Sequence, residues 1–158
     1  MRKIKYLLII SALFAACQKP EPTEIQIFNE RPNEKTFNFG ITTYFGEKDP
    51  IYNVEHVRIE HGEMCDVLIS CFKQVSSDGI TRFDWVDEII IPQIAANSVS
   101  NPIEIERCDR VEILYRTYSY NRYYRNSVEV ATERTVFDQT AVFDNIRNGR
   151  VNKLTIKD

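Results

Sequence analysis

From Thr23 onward apolar and polar residues alternate along the chain: Ile25 and Ile27 stand between polar neighbours, then Phe37, Phe39 and Ile41 do the same, and Val57 and Ile59 follow. A period of two sends successive side chains to opposite sides of an extended backbone, so each run predicts a strand with one face turned to a core. Further strands are expected at Met64 to Phe72, Thr81 to Ile91, Val99 to Glu106, Val111 to Tyr120, Val128 to Phe137, Ala141 to Phe143 and Val151 to Ile156. Turn-forming residues separate them at Arg31-Pro32-Asn33, Gly46 to Pro50, Ser76-Ser77-Asp78-Gly79, Asn97 to Pro102 and Arg147-Asn148-Gly149. No long stretch has helical spacing, and Asp84 to Ile90 leaves room for only one short turn. Short strands with turns about every 8 to 12 residues predict an all-β sandwich or barrel, with a sandwich preferred.

The first 22 residues follow a different rule. Arg2, Lys3 and Lys5 form a basic start, Tyr6 to Phe14 is apolar apart from Ser11, and the small Ala15 and Ala16 precede Cys17. This order predicts a cleaved secretory signal over residues 1–16, because the apolar run falls short of the roughly 20 residues a helix needs to span a bilayer. The alternatives are a short membrane anchor or a buried first strand.

Leu13-Phe14-Ala15-Ala16-Cys17 resembles the lipobox of bacterial lipoproteins. The resemblance implies that the Cys17 thiol carries a covalent diacylglycerol, that cleavage falls just before it, and that the protein is exported and anchored to the cell envelope. Gln18, standing where Asp would retain such a protein, implies sorting to the outer membrane. Each buried methylene contributes about 0.8 kcal/mol, so two or three acyl chains hold stably where one does not. Residues 17–22, with Pro20 and Pro22 and no apolar side chain beyond the lipidated cysteine, read as an extended tether.

Residues 23–158 then form one domain. Without residues 1–16 the chain keeps 17 Lys and Arg against all 23 Asp and Glu, a formal net charge of −6. That sign argues against a nucleic-acid partner, which requires a basic patch.

Three cysteines remain after Cys17, and an exported protein folds where disulfides persist. Cys65 and Cys71 sit six residues apart on one predicted strand with Val67 and Ile69 between them on the same face, a separation of roughly 20 Å if the strand is continuous. The expected bond therefore joins Cys108 to Cys65 or Cys71. The order Cys71, Trp85, Cys108 is similar to that of immunoglobulin domains and implies an immunoglobulin-like sandwich, although Glu106 stands where such domains place a tyrosine.

The most unusual stretch of the domain is Tyr115 to Asn126, YRTYSYNRYYRN. In one extended strand Arg116, Tyr118, Tyr120, Arg122 and Tyr124 share a face opposite Val111, Ile113 and Tyr115. Tyrosine and arginine offer flat apolar area with hydroxyl and guanidinium donors, a mixture suited to a polysaccharide or protein ligand. The competing reading is a hairpin turn at Tyr120-Asn121 with the tyrosines as cross-strand pairs.

Catalytic material is sparse. His56 and His61 are the only histidines, and their odd spacing sends them to opposite faces of a continuous strand. Asp84, Asp87 and Glu88 lack the spacing of a calcium loop and read as a solvated turn. There is no Gly-x-Ser-x-Gly elbow and no glycine-rich phosphate loop. The expectation is a protein without catalysis, metal or cofactor beyond the diacylglycerol on Cys17: a lipid-anchored binding or assembly module. An inhibitor or immunity lipoprotein, a surface polysaccharide-binding lipoprotein and a degenerate hydrolase are the alternatives.

Overall fold

The computed structural model of the chain describes residues 21–45 and 52–157; Cys17, the predicted signal and the Gly46 to Pro50 turn lie outside them. The described residues form nine strands: β1 (Thr23–Asn29), β2 (Glu34–Tyr44), β3 (Tyr52–Ser77), β4 (Ile80–Ile94), β5 (Ser98–Val99), β6 (Ile103–Ile105), β7 (Arg110–Arg125), β8 (Val128–Asp144) and β9 (Val151–Ile156). They build two sheets. In the smaller, β1 has β9 parallel along one edge and the short β5 and β6 antiparallel along the other. In the larger, β3 has β2 and then β4 in tandem along one edge, with β7 and β8 following on the other, all antiparallel.

The sheets pack face to face as a β-sandwich over part of the larger sheet. Alternation in β1 turns Thr23, Ile25, Ile27 and Asn29 inward. Ile105, Leu154 and Ile156 join them from the smaller sheet; Met64, Val67, Ile69, Cys71, Ile94, Val111, Ile113 and Tyr115 meet them from the larger one. Each isoleucine so buried contributes about 1.5–3 kcal/mol relative to exposure.

Two hairpins use the turn chemistry that their twist demands. Asp78 and Gly79 (φ 54° and 78°) join β3 to β4, and Asn126 and Ser127 (φ 50° and 63°) join β7 to β8. Two successive left-handed residues are the signature of a type I′ turn. The predicted turn at Asp78-Gly79 is thus present. The hairpin alternative at Tyr120-Asn121 is not: β7 runs on to Arg125.

Several strand readings change: the Val128 to Phe137 and Ala141 to Phe143 runs are one strand, β8, and Val99 to Glu106 divides into β5 and β6. The Val57-Ile59 and Met64 to Phe72 runs are one strand, β3, with register irregularities between His61 and Leu68. Asp84, Asp87 and Glu88 lie within β4, paired with Lys73, Cys71 and Ser70, not in a turn. Acidic side chains on an edge strand discourage pairing with other chains. Trp85 is 62% exposed on that strand, away from the packed position its counterpart takes in immunoglobulin domains.

The larger sheet outruns the smaller. Along β2, the first third of β3, the end of β7 and the start of β8, the described side chains on both faces are exposed or half-buried, with Val54 the buried exception. Phe37 alone in β2 is even half-buried, and residues 128–134 are all exposed. Phe39 and Ile41 alternate as core residues would, yet stand 58% and 67% exposed.

Candidate functional site

The single-layer extension carries a different set of side chains on each face. Cross-strand pairing puts His56 opposite Tyr123 on the face continuous with the sandwich core, and Val57, Ile59 and His61 opposite Arg122, Tyr120 and Tyr118 on the outer face. The two histidines therefore lie on opposite faces of β3, as their spacing predicts. On the core-side face the His56 ring is stacked between Phe39 and Tyr123, at 4.7 Å from each, and its Nε2 is 3.2 Å from Asn121 Oδ1. On the outer face His61 meets the edge of Tyr120 at 5.4 Å and lies 3.8 Å from Glu34.

The outer face brings together all five residues singled out in the sequence. Arg116, Tyr118, Tyr120, Arg122 and Tyr124 follow one another at every second position of β7, opposite the buried Val111, Ile113 and Tyr115. Their environments differ. Arg116 is clamped between Asp138 at 3.1 Å and Asp66 at 3.2 Å, and these two carboxylates hold its guanidinium above its ordinary pKa. Tyr118 is capped by the Arg134 guanidinium 3.8 Å over its ring and donates its hydroxyl to the Cys65 sulfur, a bond that raises the Tyr118 pKa. Arg122 donates to the Tyr124 hydroxyl, and its Nε, buried and without a hydrogen-bond partner among the described residues, lies 4.0 Å from Glu129. Tyr120 and Tyr124 are half-buried. The Arg116 end is thus internally satisfied, and the Tyr120-Arg122-Tyr124 end retains more capacity for contact.

The cysteines do not share a face as the sequence suggests. Asp66 adopts φ 48° within an irregularity of β3, so Cys65 pairs with Arg116 on the outer face while Val67, Ile69 and Cys71 point into the core. One extra residue reverses the facing of everything beyond it. Cys71 and Cys108 are both buried, and the thiol of Cys71 donates to the sulfur of Cys108. That bond lowers the Cys108 pKa; the same bond, with burial, drives Cys71 far above the thiol range. Burial also raises Cys65. All three are free thiols in the structure, and the geometry leaves Cys71 as the neighbour of Cys108.

Two residues that sequence reading passed over fix the extension to the sandwich. Asn29 is buried at the end of β1 and donates its amide to the carbonyls of Gly62 at 2.8 Å and Ala95 at 2.9 Å, with a longer contact to Ile94 at 3.4 Å. Gly62 sits where a Cβ would come within 2.0 Å of the Pro32 carbonyl oxygen. The only cue was an Asn at the inward phase of the Ile25-Ile27 alternation.

A cleft of about 630 Å³ opens at the other end of the sandwich, lined by Glu21, Asp87, Glu104, Glu106 and Arg107 among others. Among the described residues no cluster of His, Cys, Asp and Glu has the arrangement of a metal site. Comparison of the chain with known protein families, characterised proteins and solved structures gives no match.

Proposed function

We propose that this chain is a lipid-anchored cell-envelope protein that acts as a binding or assembly module, held to the outer membrane through diacylglycerol on Cys17, with the outer face of β7 as its recognition surface. The observation that carries the reading is the row Tyr120-Arg122-Tyr124 on a sheet that has no second layer there among the described residues. A sheet stabilised by packing alone would bury that row; here it is left half-open, next to exposed strands, at the far end from the core. Aromatic and guanidinium groups in a half-open row suit a polysaccharide chain or a protein strand. The charge clamp on Arg116 and the cap on Tyr118 hold the neighbouring side chains in place, which lowers the ordering cost of binding.

Glycan arrays beside thermal melts test this reading. Tyr120→Ala and Arg122→Ala are expected to leave the melting temperature nearly unchanged and to weaken binding to the retained glycan by more than fivefold each. A large fall in melting temperature with binding intact would make the row scaffold.

The acidic cleft supports a second reading, a periplasmic inhibitor or immunity lipoprotein whose carboxylates cover a basic surface of an enzyme. Charge-reversing Glu104 and Glu106 together distinguishes it, since that change abolishes capture of a basic enzyme and leaves glycan binding unaltered.

A further inference from the structure

Strand β8 lies at the edge of the larger sheet and pairs only with β7 among the described residues. Edge strands expose unpaired N–H and C=O groups that template another strand, and proteins commonly blunt them with proline, unmatched charged side chains, bulges or brevity. β8 is 17 residues long and contains neither proline nor lysine, and its acidic Glu133 and Asp138 are matched by Gln139 and Arg134 in an antiparallel pairing about Val136. Its register with β7 is unbroken from Arg110-Asp144 to Tyr123-Ala131, and the one irregularity falls just beyond, where Val130 is the extra residue of a bulge. The edge is long, regular and open.

The sequence of this edge reads nearly the same in both directions. Residues 130–142 are VATERTVFDQTAV, and about Val136 the reversed order matches Val with Val, Ala with Ala and Thr with Thr at the ends. Within them Glu133 meets Gln139 and Arg134 meets Asp138. From the open edge and this self-complementarity we infer that β8 pairs antiparallel with β8 of a second copy of the chain, about a two-fold axis at Val136. A two-fold contact presents the same patch from both sides, so each residue must suit its mirror position.

In this register Arg134 faces Asp138 of the second copy twice over, and Val136, 48% exposed, meets Val136 of the second copy. The regular part of the pairing ends with Ala131 against Ala141 of the second copy at each end, short of the bulge at Val130. Moving the strands by two residues either way sets Arg134 against Val136 or Thr140 and forfeits both ion pairs, so one register is favoured. The paired sheets become one continuous sheet, with the outer faces of both β7 strands on the same side. The inference is independent of which ligand the Tyr120-Arg122-Tyr124 row takes.

Cysteine cross-linking of the full chain in its host membrane tests the register. Directly opposed residues have Cβ atoms about 4.5–5.5 Å apart, whereas Thr140 and Thr140 of the second copy would lie eight residues apart, about 26 Å. Under mild oxidation Val136→Cys should give a covalent dimer at least tenfold above the unsubstituted chain, which controls for the native thiols. Thr140→Cys alone should not, but coexpressed with Thr132→Cys it should give a mixed dimer. All three positions are exposed, so the variants fold, as circular dichroism checks. Absence of the Val136→Cys dimer in a folded protein, or a Thr140→Cys dimer as abundant as the mixed one, would overturn the inference.

Discussion

The side-chain amide of Asn29 donates to the carbonyl of Gly62 across 2.8 Å, tying the central strand of the small sheet to β3 where the larger sheet leaves the sandwich. Asn29→Ala would leave the Gly62 and Ala95 carbonyls without that donor, at a cost of about 2–3 kcal/mol. Gly62→Ala would force a Cβ onto Pro32 and cost about 3 kcal/mol. Urea denaturation should show both variants destabilised. Asn29→Asp should be no better than Asn29→Ala, because a carboxylate cannot donate to those carbonyls.

Cys71 and Cys108 already share a hydrogen bond in the core. In an oxidising compartment they should form the single disulfide of the domain and leave Cys65 free, which peptide mapping without reductant reads directly. Losing the bond should cost about 2–5 kcal/mol. A Cys65-Cys108 bond would contradict the facing that Asp66 imposes.

Anchoring has its own test. Cys17→Ser should shift the protein from the detergent-rich to the aqueous phase, or leave it as a precursor with residues 1–16 attached. Intact mass of the wild type should show cleavage before Cys17 and the added diacylglycerol. A wild-type protein that keeps residues 1–16 and carries no acyl mass contradicts the lipobox reading.

Much of the fold was legible because period-two alternation is a local signal. It placed Ile25 and Ile27 in the core, His56 and His61 on opposite faces, and the five Tyr and Arg residues of β7 in one row. What was illegible depends on distant parts of the chain. Asp66 reverses the facing of Cys65 through one left-handed residue, which nothing in MCDVLIS announces. Gly62 falls between the Val57-Ile59 and Met64 to Phe72 runs, yet β3 passes through it, and the Pro32 carbonyl is what requires glycine there. Phe39 and Ile41 alternate as core residues do, but no layer covers them among the described residues, and alternation alone cannot say whether a second sheet reaches that far. Past Tyr120 the sequence allows both one extended strand and a turn at Tyr120-Asn121, and pairing along β3 and β8 carries β7 to Arg125.

The half-open end of β7 is the proposed place where the protein meets its partner. Its most direct test replaces Tyr120 or Tyr124 with a benzophenone-bearing residue in the full chain, irradiates intact cells, and sets the adducts beside those from Val99, which is exposed on the small sheet. A discrete adduct, of a mass other than a second copy of this chain, is expected from positions 120 and 124 and none from 99. Adducts from position 99 with none from the β7 row would contradict it.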